Sequence, residues 1–145
     1  MSDDEAGLLR ESRAKTGAVL RLIGASLDDC FPFDSDAELS PKQLEPCDAL
    51  ADRFIRGVEA ALRLFRSIEL HEFGVPSDST RELPDRMEKL RWVSSSDLWM
   101  AMRSSRSKIV HDCLPGQVAL MFAQITGPFA AELRALETRL AGPQS

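Results

Sequence analysis

The chain has 145 residues, 43% of them hydrophobic and 28% charged, with a net charge of −5. That length fits one domain, 1–145, able to bury a core without a metal or disulfide staple. The acidic balance argues against broad, nonspecific coating of nucleic acid, though it leaves room for a local basic patch. No apolar run reaches the ~20 residues of a membrane span. The acidic N-terminus "MSDDEAGLLR" lacks the pattern of a signal peptide, so a cytoplasmic protein is expected.

The first segment carries Leu9, Thr16, Leu20, Ile23 and Leu27 at helical steps. "DDCFPFDSDAELSP" (28–41) reads as a loop. Cys47, Leu50, Phe54, Val58, Ala61, Phe65 and Ile68 then step by three or four, which predicts a helix over roughly 46–72. Ser40-Pro41 resembles an N-cap followed by a first-position proline, and Pro46 suggests a short preliminary turn. "FGVPSDSTRELP" (73–84) reads as a second loop. A short helix follows, with Met87, Leu90 and Val93 as its apolar edge, and "VSSSD" (93–97) offers serine caps to a helix near 97–113. "CLPG" (113–116) breaks the chain. The last helical stripe runs near 115–141, with a kink expected at Gly127-Pro128. No useful stretch alternates with period two. The expected fold is all-α, an antiparallel four- to five-helix bundle.

Cys30, Cys47 and Cys113 lie far apart, without zinc spacing, and read as reduced, mostly buried thiols. His71 and His111 form no metal constellation, so no metal and no cofactor is expected. His71 ends the second helix, where the dipole alone favours it.

The chemistry-bearing stretch is "RSSRSKIVHDC" (103–113). A histidine moves protons near neutral pH, and an arginine holds a phosphate and stabilises charge developing on it. The pair suits RNA cleavage, in which the 2′-hydroxyl is the nucleophile. The structural alternative is a dipole-favoured histidine beside arginines on a solvated helix face. At about 100° per residue, Arg106 and His111 stand ~140° apart. They converge only if the helix loosens before "CLPG", or if two subunits each lend one half. Arg103, ~80° from His111, is close enough in angle to share a phosphate, and Ser107 is placed to hydrogen-bond His111. From Arg81 to Lys108, seven basic residues face four acidic ones, with Trp92 and Trp99 interspersed. The competing reading is a solvated face with ion pairs such as Asp85–Lys89. The tryptophans read first as core or interface packing, second as base-stacking platforms.

Arg106-Ser-Lys-Ile-Val-His111, placed late in an all-α chain after "LPDRMEKLRWVSSSDLWMAM", resembles the Arg-x4-His motif of the HEPN superfamily, and more closely its HepT-type members. The resemblance covers about thirty residues in pattern and roughly 45–135 in organisation. It implies a homodimer with facing motif helices, and RNA (tRNA or mRNA) as substrate. It also implies a separately encoded nucleotidyltransferase as partner and antitoxin. Arg106 and His111 are then catalytic, and Arg103, Ser107 and Lys108 bind substrate. The chain departs at Ser107, often asparagine in the family, and at Cys113, where the family has a nucleotide-accepting tyrosine. The chain has no tyrosine. A thiol does not replace a phenol as a stable adenylyl acceptor. Three functions follow: a toxin-type, metal-independent endoribonuclease; a non-catalytic nucleotide- or RNA-binding partner of a nucleotidyltransferase; or a dimeric scaffold with a decayed motif.

Overall fold

The apolar stripe of the second segment forms the centre of the molecule. All seven of its residues, from Cys47 to Ile68, are buried. The computed structural model describes residues 3–29, 40–111 and 121–142, with the backbone alone at 3, 43, 44 and 107–111. It is an all-α bundle: α1 (Asp3–Asp29), α2 (Pro41–Phe73), α3 (Glu82–Lys89), α4 (Ser96–His111) and α5 (Ala130–Ala141). Helical residues 121–124 run through a π-turn, Ile125–Phe129, into α5. No strand occurs among the described residues. No helix among them is long and apolar enough to cross a membrane.

The second helix starts earlier than its periodicity suggests. It opens at Pro41 and keeps Pro46 inside. A proline six residues into a helix removes only the first-turn bond to residue 42, so the expected separate turn merges with the helix. Most of the first predicted loop, residues 30–39, lies outside the described residues, as do Cys30 and the "CLPG" break.

α1 packs antiparallel along α2. The two come close at Gly57, where a Cβ would meet Ile23 Cδ1 at 2.4 Å. Thr16, buried in this seam, donates to Ser12 O at 2.8 Å, and Arg53 donates to Ser26 Oγ at 2.6 Å. The expected kink is present: Gly127 has φ −104° and ψ −108°, and Pro128 follows inside the π-turn. Phe129 emerges from it stacked on Phe54, with ring centroids 5.7 Å apart.

The loop between α2 and α3 is held by charge. Gly74, at φ 75°, closes α2 by donating to Leu70 O at 3.0 Å. Glu69 is 2% exposed, accepts from Ser77 N at 3.0 Å, and meets Arg86 Nη1 at 3.1 Å. Arg86 also bonds Glu82 and lies over the Phe73 ring. Glu82 accepts from Asp78 N at 2.8 Å while its own N–H donates to Ser79 Oγ. The bond from Asp78, then the pairing with Arg86, holds the Glu82 carboxyl below its ordinary value of 4.5 despite opposing desolvation. A lowered folded-state value means that the stabilisation is present above the unfolded pKa and is lost as pH falls through the folded one. Glu82→Gln should therefore lower Tm at pH 7, with the gap closing below pH 4.5. Paired thermal melts from pH 7 to 3 check this; a gap that does not change with pH refutes it.

Candidate functional site

α4 carries the motif. Ser95 caps it, accepting from Leu98 N at 3.3 Å, and Ser96 N donates to Glu88 Oε2 at 2.8 Å. The expected serine cap is thus Ser95. Trp99 and Met102 turn inward and are fully buried. Phe65 meets Trp99 edge to face at 5.0 Å, and Glu59 meets Arg106 one end further along. Ascending numbers on α4 thus face descending numbers on α2, so the two helices are antiparallel. Their register sets Arg103 and Arg106 on the flank of α4 that borders α2.

Arg106 Nη1 donates to Glu59 Oε1 at 3.0 Å; the side chains are 29% and 40% exposed. Arg103 is half-buried and, among the described residues, has neither hydrogen-bond nor ion-pair partner. Burial, then the nearby charges of Arg66 and Arg106, push its pKa below the ordinary guanidinium value. It stays protonated all the same, because a guanidinium starts so far above neutrality. Three cations and one carboxylate therefore share this seam of an acidic protein.

Two of the other basic residues of the stretch, Arg81 and Arg86, are used structurally. Arg81 pairs with Asp97 and, at 3.9 Å, with Asp85. The expected Asp85–Lys89 pair is not formed among the described contacts, because Asp85 faces back toward Arg81. Arg86 is committed to Glu69 and Glu82. Trp99 is a core residue, with its Nε1 donating to the buried Glu132 at 3.1 Å, and it has no face to offer a base. Trp92 is half-buried under the Arg13 guanidinium, 5.3 Å from its centroid. Packing, the first of the two readings, holds for Trp99.

The α4 backbone is helical through His111. The expected loosening before "CLPG" does not occur by residue 111, so Arg106 and His111 keep the ~140° separation of an unbroken helix. The side chains of Ser107, Lys108 and His111, and all of Cys113, lie outside the described residues. The expected Ser107–His111 bond falls there too. Of the predicted site residues, Arg103 and Arg106 are thus brought together. The periodicity gave no sign of Glu59 and Arg66, because they join the seam only through the α2–α4 register.

A concavity of about 200 Å³ lies between α1 and α2 and is lined by Glu5, Leu8, Leu9, Ser67, Leu70 and His71. It places His71 at a surface cleft about 4.0 Å from Glu72. Among the described residues, no group of three His, Cys, Asp or Glu is placed to hold a metal. No family model matches the chain. Neither curated proteins nor solved structures gave a match.

Proposed function

We propose that this protein is a HepT-like, metal-independent endoribonuclease of toxin type. It acts as a homodimer through Arg106 and His111 and is paired with a nucleotidyltransferase. The observation that carries the reading is the seam at α4, where Arg103 and Arg106 lie half-buried with Glu59 as counter-charge in a chain of net charge −5. Two half-buried guanidiniums that share one carboxylate among the described residues suit a phosphate, which supplies charge-assisted bonds that water supplies less well.

His111 takes the 2′-proton, the O2′–P bond forms, and the P–O5′ bond breaks as the leaving oxygen gains a proton. Arg106 stabilises the charge on the non-bridging oxygens, exchanging Glu59 for phosphate as substrate arrives. The unbroken helix favours a site shared between two chains, with Arg106 from one and His111 from the other.

The test is cleavage of total tRNA in EDTA by wild type, Arg106→Ala and His111→Ala. Each variant is expected to lose at least ~100-fold in rate, the usual scale of general acid–base and oxyanion-type contributions. A folded wild type that binds tRNA without cutting it overturns the ribonuclease reading in favour of the non-catalytic binding partner, the function that Cys113 in the tyrosine position also favours.

A further inference from the structure

The proposed reaction uses one phosphate, at Arg106. The seam holds more positive charge than one phosphate needs. Arg103 precedes Arg106 by three residues, one helical step of about 4.5 Å along the axis. It is half-buried, has no carboxylate partner among the described residues, and lies within the field of Arg66 on α2. Arg66 is exposed and also has no ion-pair partner among the described residues. Arg66 follows Phe65, the residue that packs on Trp99, and Arg103 lies one turn after Trp99. Arg66 stands seven residues after Glu59 on the same flank of α2, so the antiparallel register puts Arg66 and Arg103 on the same side of the Glu59–Arg106 pair along the seam.

Like charges held together by packing favour an anion between them, because binding removes repulsion as well as adding attraction. Every other half-buried arginine has an acceptor: Arg86 has Glu69 and Glu82, Arg139 has Glu132, Arg13 donates to Leu140 O, and Arg53 donates to Leu22 O and Ser26 Oγ. Arg103 and Arg66, by contrast, have no acceptor among the described residues.

We infer that Arg66 and Arg103 form a second phosphate subsite beside Arg106, so that the ligand is a single-stranded RNA chain lying along the α2–α4 seam rather than a mononucleotide. The inference rests on the reading of Arg106 as a phosphate-binding residue and extends it to α2, where no motif points. A strand held at two successive phosphates is fixed in direction as well as position. A basic groove that tracks the backbone binds in this way with little regard to sequence.

The test uses full-length His111→Ala protein, which keeps RNA intact, and a fluorescein-labelled twelve-nucleotide oligouridylate read by anisotropy. Adding Arg66→Gln or Arg103→Gln should weaken binding roughly tenfold. Each should also reduce the slope of log K against log salt by about 0.7, the loss of one phosphate contact on a single strand. Lys15→Gln on α1, the same change in net charge away from the seam, should leave both unchanged. Uridine monophosphate, measured by competition, should bind far more weakly and be indifferent to Arg66→Gln.

If the oligonucleotide binds but Arg66→Gln matches its parent in affinity and slope, the second subsite is overturned and the reading of Arg106 stands. If Arg66→Gln weakens the mononucleotide as much as the oligonucleotide, a single-phosphate site replaces the proposed strand. If folded protein with Arg66 and Arg103 intact binds no RNA at all, the inference falls together with the function it rests on. Circular dichroism of each variant checks the fold; both substitutions replace side chains with no structural bond among the described residues.

Discussion

Replacing Glu132 with alanine is expected to cost ~3–5 kcal/mol of folding stability, the scale of breaking a buried charged network by removing one partner. Glu132 is 4% exposed, and its Oε1 accepts from Trp99 Nε1 at 3.1 Å and from Ser94 N at 3.0 Å. Arg139 Nη1 stands 3.6 Å away and donates to Trp92 O at 2.7 Å. One carboxylate thus ties α5 to the α3–α4 connection and to the first turns of the motif helix. Alanine leaves the indole N–H buried without an acceptor, at a cost of ~1–3 kcal/mol, and also removes the acceptor of Ser94 N and the carboxylate beside Arg139. Glutamine keeps an acceptor oxygen in place, so Glu132→Gln should lose only ~1–2 kcal/mol, mainly the charge assistance. Since such a domain holds ~5–15 kcal/mol in all, alanine should lower Tm by ~10 °C or more and glutamine by a few degrees. Urea titrations of the two variants decide it. An alanine variant within ~1 kcal/mol of wild type shows that the network contributes no more than an ordinary surface position.

Glu132 also shows what periodicity reveals and what it hides. The stripe Phe122, Ile125, Phe129, Leu133 and Leu136 is legible from spacing, and all five residues are buried. Glu132 stands three after Phe129 and four before Leu136, so it occupies a core position with a charged side chain. Glu69, four after Phe65, does the same. A carboxylate in phase with an apolar stripe is a readable sign of a buried ion pair, and it went unread because hydrophobic periodicity counts only apolar residues. The partners are a different matter. Arg86 lies 17 residues after Glu69, and Trp99 lies 33 before Glu132. No local pattern links such positions; the packing of α2, α4 and α5 does. Arg91 at φ 65° was also beyond the sequence, since the left-handed residue that ends α3 is usually glycine. The site was half-legible in the same sense. Arg103 and Arg106 fall on one flank from spacing alone, whereas Glu59 and Arg66 join them only through the antiparallel register of two helices.

That half-legible site leads to the largest functional effect expected. Mixing two inactive variants, Arg106→Ala and His111→Ala, should restore RNA cleavage if the proposed site spans a dimer. α4 is helical from Ser96 to His111, which holds the two positions about 140° apart on one chain. Within the chain Arg106 already faces α2 through Glu59. In a two-fold dimer each site takes Arg106 from one copy and His111 from the other, so the interface repeats itself. A mixed dimer then holds one intact site and one doubly defective site. With equal amounts of the variants and free exchange of subunits, half the dimers are mixed, and about a quarter of wild-type activity should return. The order of events matters: activity should rise from the background of either variant alone as subunits exchange, and dilution below the dimer's dissociation constant should abolish it. If the site lay within one chain, every chain in the mixture would carry one defect and no activity would return at any ratio. Complementation separates these geometries without depending on which RNA is cut. It asks only whether the arginine and the histidine that an unbroken helix keeps apart are joined by a second copy of the same helix.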